Sequence, residues 1–105
     1  HLRLMRRRYL GRRNSLLRAL RQYLPEATVL GAAAGVHLTV RLPADCEIDD
    51  VVRRAANQRV RIDPLSWCYT EPVAAPPGLI LGYANLTESQ IDAGVQAIAA
   101  AVHNR

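Results

Sequence analysis

The 105-residue sequence contains no lysine, and all 14 of its basic residues are arginines. Lysine supplies the amine for Schiff-base formation and for attack by an uncharged amine, so neither chemistry is available within this chain. We therefore predict that the chain is not an enzyme on its own. With 50% hydrophobic and 22% charged residues and a formal charge of +5, the composition is otherwise that of a globular protein.

Cysteine and long apolar runs are also scarce. Cys46 and Cys68 are the only two cysteines, which fits neither a disulfide-dense scaffold nor a zinc ribbon. No apolar run approaches the roughly 20 residues of a membrane span, and no apolar segment follows the basic N-terminus as in a signal peptide. We expect reduced thiols, a cytoplasmic location and no membrane partner. Because the chain starts at His1 within a helical pattern, we expect residues 1–105 to be a single domain of a longer protein.

The first half of the sequence shows one helical and one alternating pattern. Residues 2–24 are basic and amphipathic up to Pro25, which predicts a helix. A short strand is expected around 28–30. Residues 36–42 alternate, which predicts a second strand. The positions predicted to face a core are Met5, Tyr9, Leu16, Leu20, Leu24, Val36, Leu38, Val40 and Leu42.

The second half repeats this order of elements. Asp45 is a plausible N-cap of a helix, and residues 60–63 predict a strand that Pro64 ends. Residues 64–77 contain four prolines and predict an irregular loop, whereas 79–84 predict a central strand that is buried on both faces. A capping box starts the last helix, and Leu86 can pack on Ile91. The helix positions predicted to face the core are Ile48, Val51, Val52, Ala55, Ala56, Ile91, Val95, Ile98 and Val102; the capping-box residues are Thr87 and Gln90.

This order predicts an α+β fold: an open, three- to four-stranded, mainly antiparallel sheet with helices packed on one face. The other face of the sheet is then polar. Such a face on so small a unit indicates that it packs against a partner domain. The residues expected on this polar face are His37, Thr39, Arg41, Arg61 and Asp63.

The residues alone predict no catalytic residue and no metal site. His37 and Cys68 could form a nucleophile–base pair, but no third group is evident to orient them. The three histidines are too scattered for a metal-ligand pattern. The arginines of the first helix could bind nucleic acid, but no aromatic residues are interleaved with them and no helix-turn-helix surrounds them. A solvated helix face, or one that contacts another domain, is favoured.

Several segments together resemble one family. They are Gly35-Val36-His37-Leu38; Val60-x-Ile62-x-Pro64-Leu65-Ser66 with Tyr69 behind it; and Gly78 through Leu86, which continues into Glu88-x-x-Ile91-x-x-Gly94-Val95. They resemble the C-terminal small domain of the MocR-type transcriptional regulators of the GntR superfamily, whose effector domain has the fold-type-I aminotransferase architecture. The opening segment, His1 through Arg13, is similar to the helix by which such proteins enter that domain.

The resemblance implies a longer parent protein, which would be a homodimer. A separate N-terminal winged helix-turn-helix domain would bind DNA, and a large domain of the same chain would hold pyridoxal phosphate (PLP) on a lysine. This small domain would hold no cofactor itself and would close over the site as a sensor of an amino compound or a vitamin B6 form. His37, Ser66 and Tyr69 are the candidates for lining the cleft, and loop 64–77 is expected to move when the effector binds.

Two departures from the family pattern bear on function. Aminotransferases usually have a carboxylate-binding arginine where this chain has Ile80, and without it bidentate binding of an α-carboxylate from this strand is lost. This favours a regulator over an enzyme. Arg59 replaces the usual glycine before residue 60, which puts the helix end there in doubt. Two alternatives stay open: the small domain of a genuine PLP-dependent aminotransferase, and an independent basic nucleic-acid-binding domain.

Overall fold

A computed structural model of the chain describes residues 2–33 and 37–104. The predicted order of elements is confirmed. The helices are α1 (Leu2–Tyr23), α2 (Ile48–Arg54) and α3 (Glu88–His103), and the strands are β1 (Thr28–Ala33), β2 (His37–Arg41), β3 (Arg61–Pro64) and β4 (Gly78–Gly82). The predicted loop 64–77 contains two short 3₁₀ turns, Leu65–Cys68 and Pro72–Ala74.

The four strands form one sheet in the order β1-β2-β4-β3, and every neighbouring pair is antiparallel. The predicted α+β fold with an open antiparallel sheet is therefore confirmed. β2 and β4 occupy the centre, while β1 and β3 form the edges. Pro64 ends the edge strand β3, a position where its missing N–H removes no bond from the sheet interior.

The core lies between the sheet and the three helices. Leu38 and Val40 of β2 and Leu79 and Leu81 of β4 are completely buried, because alternate side chains of both central strands point toward the helices. Burial of each such side chain stabilises the fold by roughly 1.5–3 kcal/mol. Helix residues predicted for this core and found in it are Leu16, Leu20, Leu24, Val51, Ala55, Ile91, Val95, Ile98 and Val102. The predicted core positions Met5, Tyr9 and Val36 lie outside the residues whose side chains are described.

The second helix differs from its prediction at both ends. The N-cap is Glu47 and not Asp45, because the backbone N–H of Cys46 donates to Pro43 O at 3.0 Å and places Asp45 inside a turn. The helix ends at Arg54, with Ala55 as its C-cap. Ala56 is therefore exposed in the turn that follows, where the helical spacing no longer applies. Because the helix ends this early, position 59 is not its cap.

The central strand β4 is buried on one face only. Leu79 and Leu81 are inaccessible, whereas Ile80 and Gly82 on the opposite face are only half-buried. The prediction of burial on both faces was wrong, because all three helices lie on the same side of the sheet. The apolar run thus contains one residue, Ile80, that belongs to the uncovered face.

Candidate functional site

The uncovered face of the sheet carries the polar side chains that its alternation predicts, in two rows that run across three strands. His37, Gly82 and Arg61 form one row, and Thr39, Ile80 and Asp63 form the next. Neighbouring strands are about 4.8 Å apart, so the outer members of a row are within reach of each other's side chains. We call this surface the open face.

The first row has a gap at its centre. A Cβ built on Gly82 would lie 3.1 Å from Cβ of Arg61 and 3.7 Å from Cδ2 of His37. The two side chains therefore flank Gly82, and this glycine leaves between them a space that any other residue would fill. Arg61 Nε donates to Asp63 Oδ2 at 2.9 Å, which fixes the guanidinium over the boundary between the rows.

The edge of the open face is built by β1. The Thr39 hydroxyl donates to Gly31 O at 3.3 Å across the β1–β2 pair. The pairing register shifts between Val29 and Gly31, and both Val29 and Leu30 are largely exposed at this irregularity. An exposed apolar edge beside a polar face is typical of a surface that another domain covers.

The loop that follows β3 lies at the other end of the sheet. Ser66 is half-buried and borders a shallow cleft of about 230 Å³ between this loop and the start of α2. Tyr69 is 39% exposed, and the loop also presents Trp67 at 67% and Val73 at 97% exposure. Sequence patterns identified Ser66 and Tyr69 as cleft candidates but missed Trp67 and Val73, whose only signal was an aromatic and an aliphatic residue in a proline-rich loop.

The structure does not bring the three predicted cleft residues together. His37 pairs with Gly82 at one end of β4, whereas Ser66 follows the end of β3 that pairs with Leu79, next to Gly78. The four residues from one end of β2 to the other span about 13 Å. Cys68 is exposed in the same distant loop, so the structure does not support a nucleophile–base pair with His37.

The first helix is attached to the third by side-chain hydrogen bonds. Arg12 Nε donates to Leu86 O at 3.1 Å, and the Ser15 hydroxyl donates to Glu88 Oε1 at 2.8 Å. Tyr23 donates to Asp92 at 3.2 Å, and desolvation by burial, followed by this hydrogen bond, raises its pKa. Arg12 is thus a structural residue. The arginines on α1 whose side chains are described as exposed are Arg3, Arg7, Arg13, Arg18 and Arg21.

Tyr83 is the buried polar residue that the helices leave unsatisfied. It is completely buried, and its hydroxyl has no hydrogen-bond partner within the residues that the structure describes. Burial raises the pKa of this phenol, while the charge of Arg13 acts in the opposite direction. Alternation along the chain after Gly82 places the ring on the helix side of the sheet, so Tyr83 is not part of the open face.

Searches for a metal site and for a membrane span gave negative results. In residues 2–33 and 37–104, no group of three or more His, Cys, Asp or Glu side chains could hold a metal ion. None of the helices in that part of the chain is long and apolar enough to cross a membrane. The only cationic side chains that the described structure places on the open face are those of arginine and histidine, which bind anions without forming an imine.

Comparison with known proteins gives one curated relative and several solved structures. No family model matches the chain. It is 30% identical over 97 residues to YhdI, an uncharacterized HTH-type transcriptional regulator of Bacillus subtilis strain 168, and this match covers 91% of the chain and 20% of YhdI.

The similar solved structures are aminotransferases. Kynurenine aminotransferase of Pyrococcus horikoshii, in complex with PMP, superimposes with a TM-score of 0.83 at 23% identity, over 99% of this chain and 26% of that one. The fold is that of an aminotransferase small domain. LysN of Thermus thermophilus, an α-aminoadipate aminotransferase complexed with N-(5'-phosphopyridoxyl)-L-leucine, gives 0.78 at 24% identity over 98% and 26%. A multiple substrate aminotransferase of Thermococcus profundus gives 0.77 at 23% over 91% and 24%.

The chain therefore spans about a fifth of its curated relative and about a quarter of each of these solved chains. It is an aminotransferase-related small domain.

Proposed function

We propose that residues 1–105 are the C-terminal, effector-sensing small domain of a MocR-type transcriptional regulator. The large domain of the same protein binds PLP, and a separate N-terminal domain binds DNA. The small domain has no activity alone. It closes over the cofactor site and changes position when a small amino compound or a vitamin B6 form binds, and the complete protein is a homodimer in the cytoplasm.

The observation that carries this proposal is the one-sided packing of the sheet. All helices cover one face, while the central strands leave His37, Thr39 and Ile80 accessible on the other. A domain that functioned alone would gain stability by covering this face, so its exposure supports a second domain as its natural cover. The match to a regulator across 91% of the chain supports the parent protein's class.

The chain does not fit PLP by itself. It has no lysine to form the covalent link, and the open face offers only noncovalent partners for an anion. PLP supplies an electron sink to the amino compound that it binds, and this chemistry belongs to the large domain. The contribution of this domain is to cover the site and to contact the bound compound from the open face.

Ile80 supports a regulator over an enzyme. It lies half-buried in the centre of the open face, between Thr39 and Asp63, so this central position offers no cation to a substrate carboxylate. An arginine fork at such a position binds a carboxylate bidentately, which an isoleucine cannot do.

A genuine aminotransferase is the second candidate, because the similar solved structures are aminotransferases. The two candidates are separated with the protein expressed from the complete reading frame that encodes this chain. A regulator holds PLP, as seen in the visible absorbance of the lysine-bound cofactor, and does not turn over amino-donor and 2-oxo-acid pairs. Sustained turnover would support the enzyme, and a complete protein without a PLP-binding lysine would contradict both candidates.

The same experiment has a matched control in the isolated chain. When PLP is added to residues 1–105 alone, we expect the spectrum of the free cofactor, since the chain has no lysine. The visible band of the complete protein then originates from a lysine outside this segment. Peptide mapping after borohydride reduction of the complete protein identifies that residue.

A further inference from the structure

We propose that Arg61 and His37 form an oxyanion-binding subsite over the gap at Gly82. The subsite takes a carboxylate or phosphate group, and it replaces, one row away on the open face, the anchor that Ile80 does not provide. This inference rests on the proposed function only for the identity of the natural ligand, because the subsite is a property of the 105-residue chain.

Three observations define the subsite. His37 and Arg61 lie in the same row, on the strands that flank β4. Both approach the position of the missing Gly82 side chain, with His37 Cδ2 at 3.7 Å and Arg61 Cγ at 3.9 Å from it. The space between them is therefore open to solvent and bordered by two nitrogen-bearing side chains.

The guanidinium of Arg61 is positioned for this role. Its Nε is occupied by Asp63 at 2.9 Å, and neither of its terminal nitrogens has a hydrogen-bond partner within the part of the chain that is described. Asp63 thus holds the guanidinium from the side and leaves the Nη1–Nη2 fork, which matches two oxygens of a carboxylate or phosphate. The His37 imidazole can donate one further hydrogen bond.

Arg41 provides a matched control on the same face. It is exposed on the same strand as His37, and its row contains Gly78. A Cβ at Gly78 would lie 2.4 Å from Val40 O and 2.7 Å from Leu65 Cδ2, so this glycine is surrounded by protein and leaves no gap. Arg41 thus has the charge and the exposure of Arg61 but borders no open space.

The test is an NMR titration of the ¹⁵N-labelled 105-residue chain with acetate and, separately, with inorganic phosphate at constant ionic strength. We expect saturable shifts at the Gly82 amide, the His37 ring and the Arg61 side chain. R61Q is expected to weaken this binding about tenfold or more, as the loss of a charge-assisted hydrogen bond predicts, while R41Q retains it.

G82A keeps both nitrogen-bearing side chains and fills the gap, so we expect it to weaken binding as well, in a protein whose spectrum is otherwise that of the folded chain. If G82A shifts the whole spectrum, R61Q and R41Q decide alone. Saturation with acetate but not phosphate defines a carboxylate subsite, and saturation with phosphate defines a wider oxyanion site. Equal weakening by R41Q and R61Q, or shifts spread evenly over the arginines of α1, overturns the proposal.

The outcome is independent of the test of the proposed function. A chain that fails to bind either anion can still belong to a PLP-binding regulator, and a complete protein that proves to be an aminotransferase can still contain this subsite. In the complete protein, R61Q is then expected to weaken the response to a carboxylate-bearing amino acid more than the response to the corresponding amine without a carboxylate.

Discussion

Gly94 on α3 lies against Val60 so closely that a Cβ built on the glycine would be 2.5 Å from Val60 Cγ2 and 3.0 Å from Val60 Cβ. This contact sets the distance between the last helix and the start of β3. Val60 is itself buried at 2% exposure, so its side chain has little room to withdraw.

We therefore expect Gly94→Ala to lower the free energy of unfolding by about 1–3 kcal/mol, the usual cost of overpacking a core. Gly11→Ala is the matched control, since Gly11 is also helical but has no atom within 4 Å of the added Cβ. It is expected to raise the free energy of unfolding by roughly 0.5–1 kcal/mol through the lower entropy of the unfolded chain. Urea denaturation of both variants measures the difference, and equal effects would contradict this packing.

The N-terminus of α3 provides a second prediction. The Thr87 hydroxyl accepts a hydrogen bond from the Gln90 N–H at 3.1 Å, and the Gln90 side chain accepts one from the Thr87 N–H at 3.0 Å. Thr87→Ala is expected to lower the free energy of unfolding by about 1 kcal/mol, whereas Thr87→Ser retains the oxygen and stays close to wild type. A Ser variant that is as unstable as the Ala variant would show that the cap hydrogen bond is not the cause.

The ion pair between Glu26 and His103 predicts a pH dependence of stability. Desolvation by burial raises the pKa of Glu26, but the hydrogen bond with His103 and a backbone hydrogen bond outweigh it, so the net pKa is lowered. A carboxyl group of this kind stabilises the fold above its unfolded pKa, about 4.3, and this stabilisation is lost as the pH falls through the lower folded value.

Urea denaturation in steps from about pH 6 downwards should show this loss in the wild-type chain. Glu26→Gln and His103→Gln should both reduce the slope of stability against pH below about pH 4.3. A Glu26→Gln chain with the same slope as the wild type would contradict the assignment.

The three cleft candidates lead to a fourth prediction, for the complete protein. His37 lies at the Gly82 end of the open face and Ser66 at the Gly78 end, so the two residues report on different regions. His37→Ala is expected to weaken the response to an effector that contacts the open face. Ser66→Ala and Tyr69→Phe change it only if loop 64–77 also reaches the bound compound. If all three variants respond as the wild type does, none of these residues lines the cleft.

Sequence periodicity predicted the fold well because most of its elements are amphipathic. Alternation in β2 placed Leu38 and Val40 in the core, and the capping box predicted the start of α3 to the residue. The start of α2 was missed, because the hydrogen bond of the Pro43–Cys46 turn competes with a helical cap at Asp45. An apolar run such as that of β4 does not indicate which of its faces the helices cover, so the exposure of Ile80 required the structure.

The candidate site was predictable only as a face. Alternation placed His37 and Arg61 on the same side of the sheet, but their position on either side of Gly82 depends on the β2–β4 and β3–β4 registers. These registers follow from tertiary pairing and not from spacing along the chain. For the same reason, the distance between His37 and Ser66 could not be derived from the sequence.

The central claim is that this domain senses a compound for a DNA-binding protein. The most direct measurement is the affinity of the complete protein for the DNA upstream of its own gene, by fluorescence anisotropy, with PLP alone and with PLP plus each of a panel of amino acids. We predict that at least one addition changes the affinity about fivefold or more, the range of an allosteric coupling. A complete protein that binds no DNA, or whose affinity is the same under every addition, would contradict the claim.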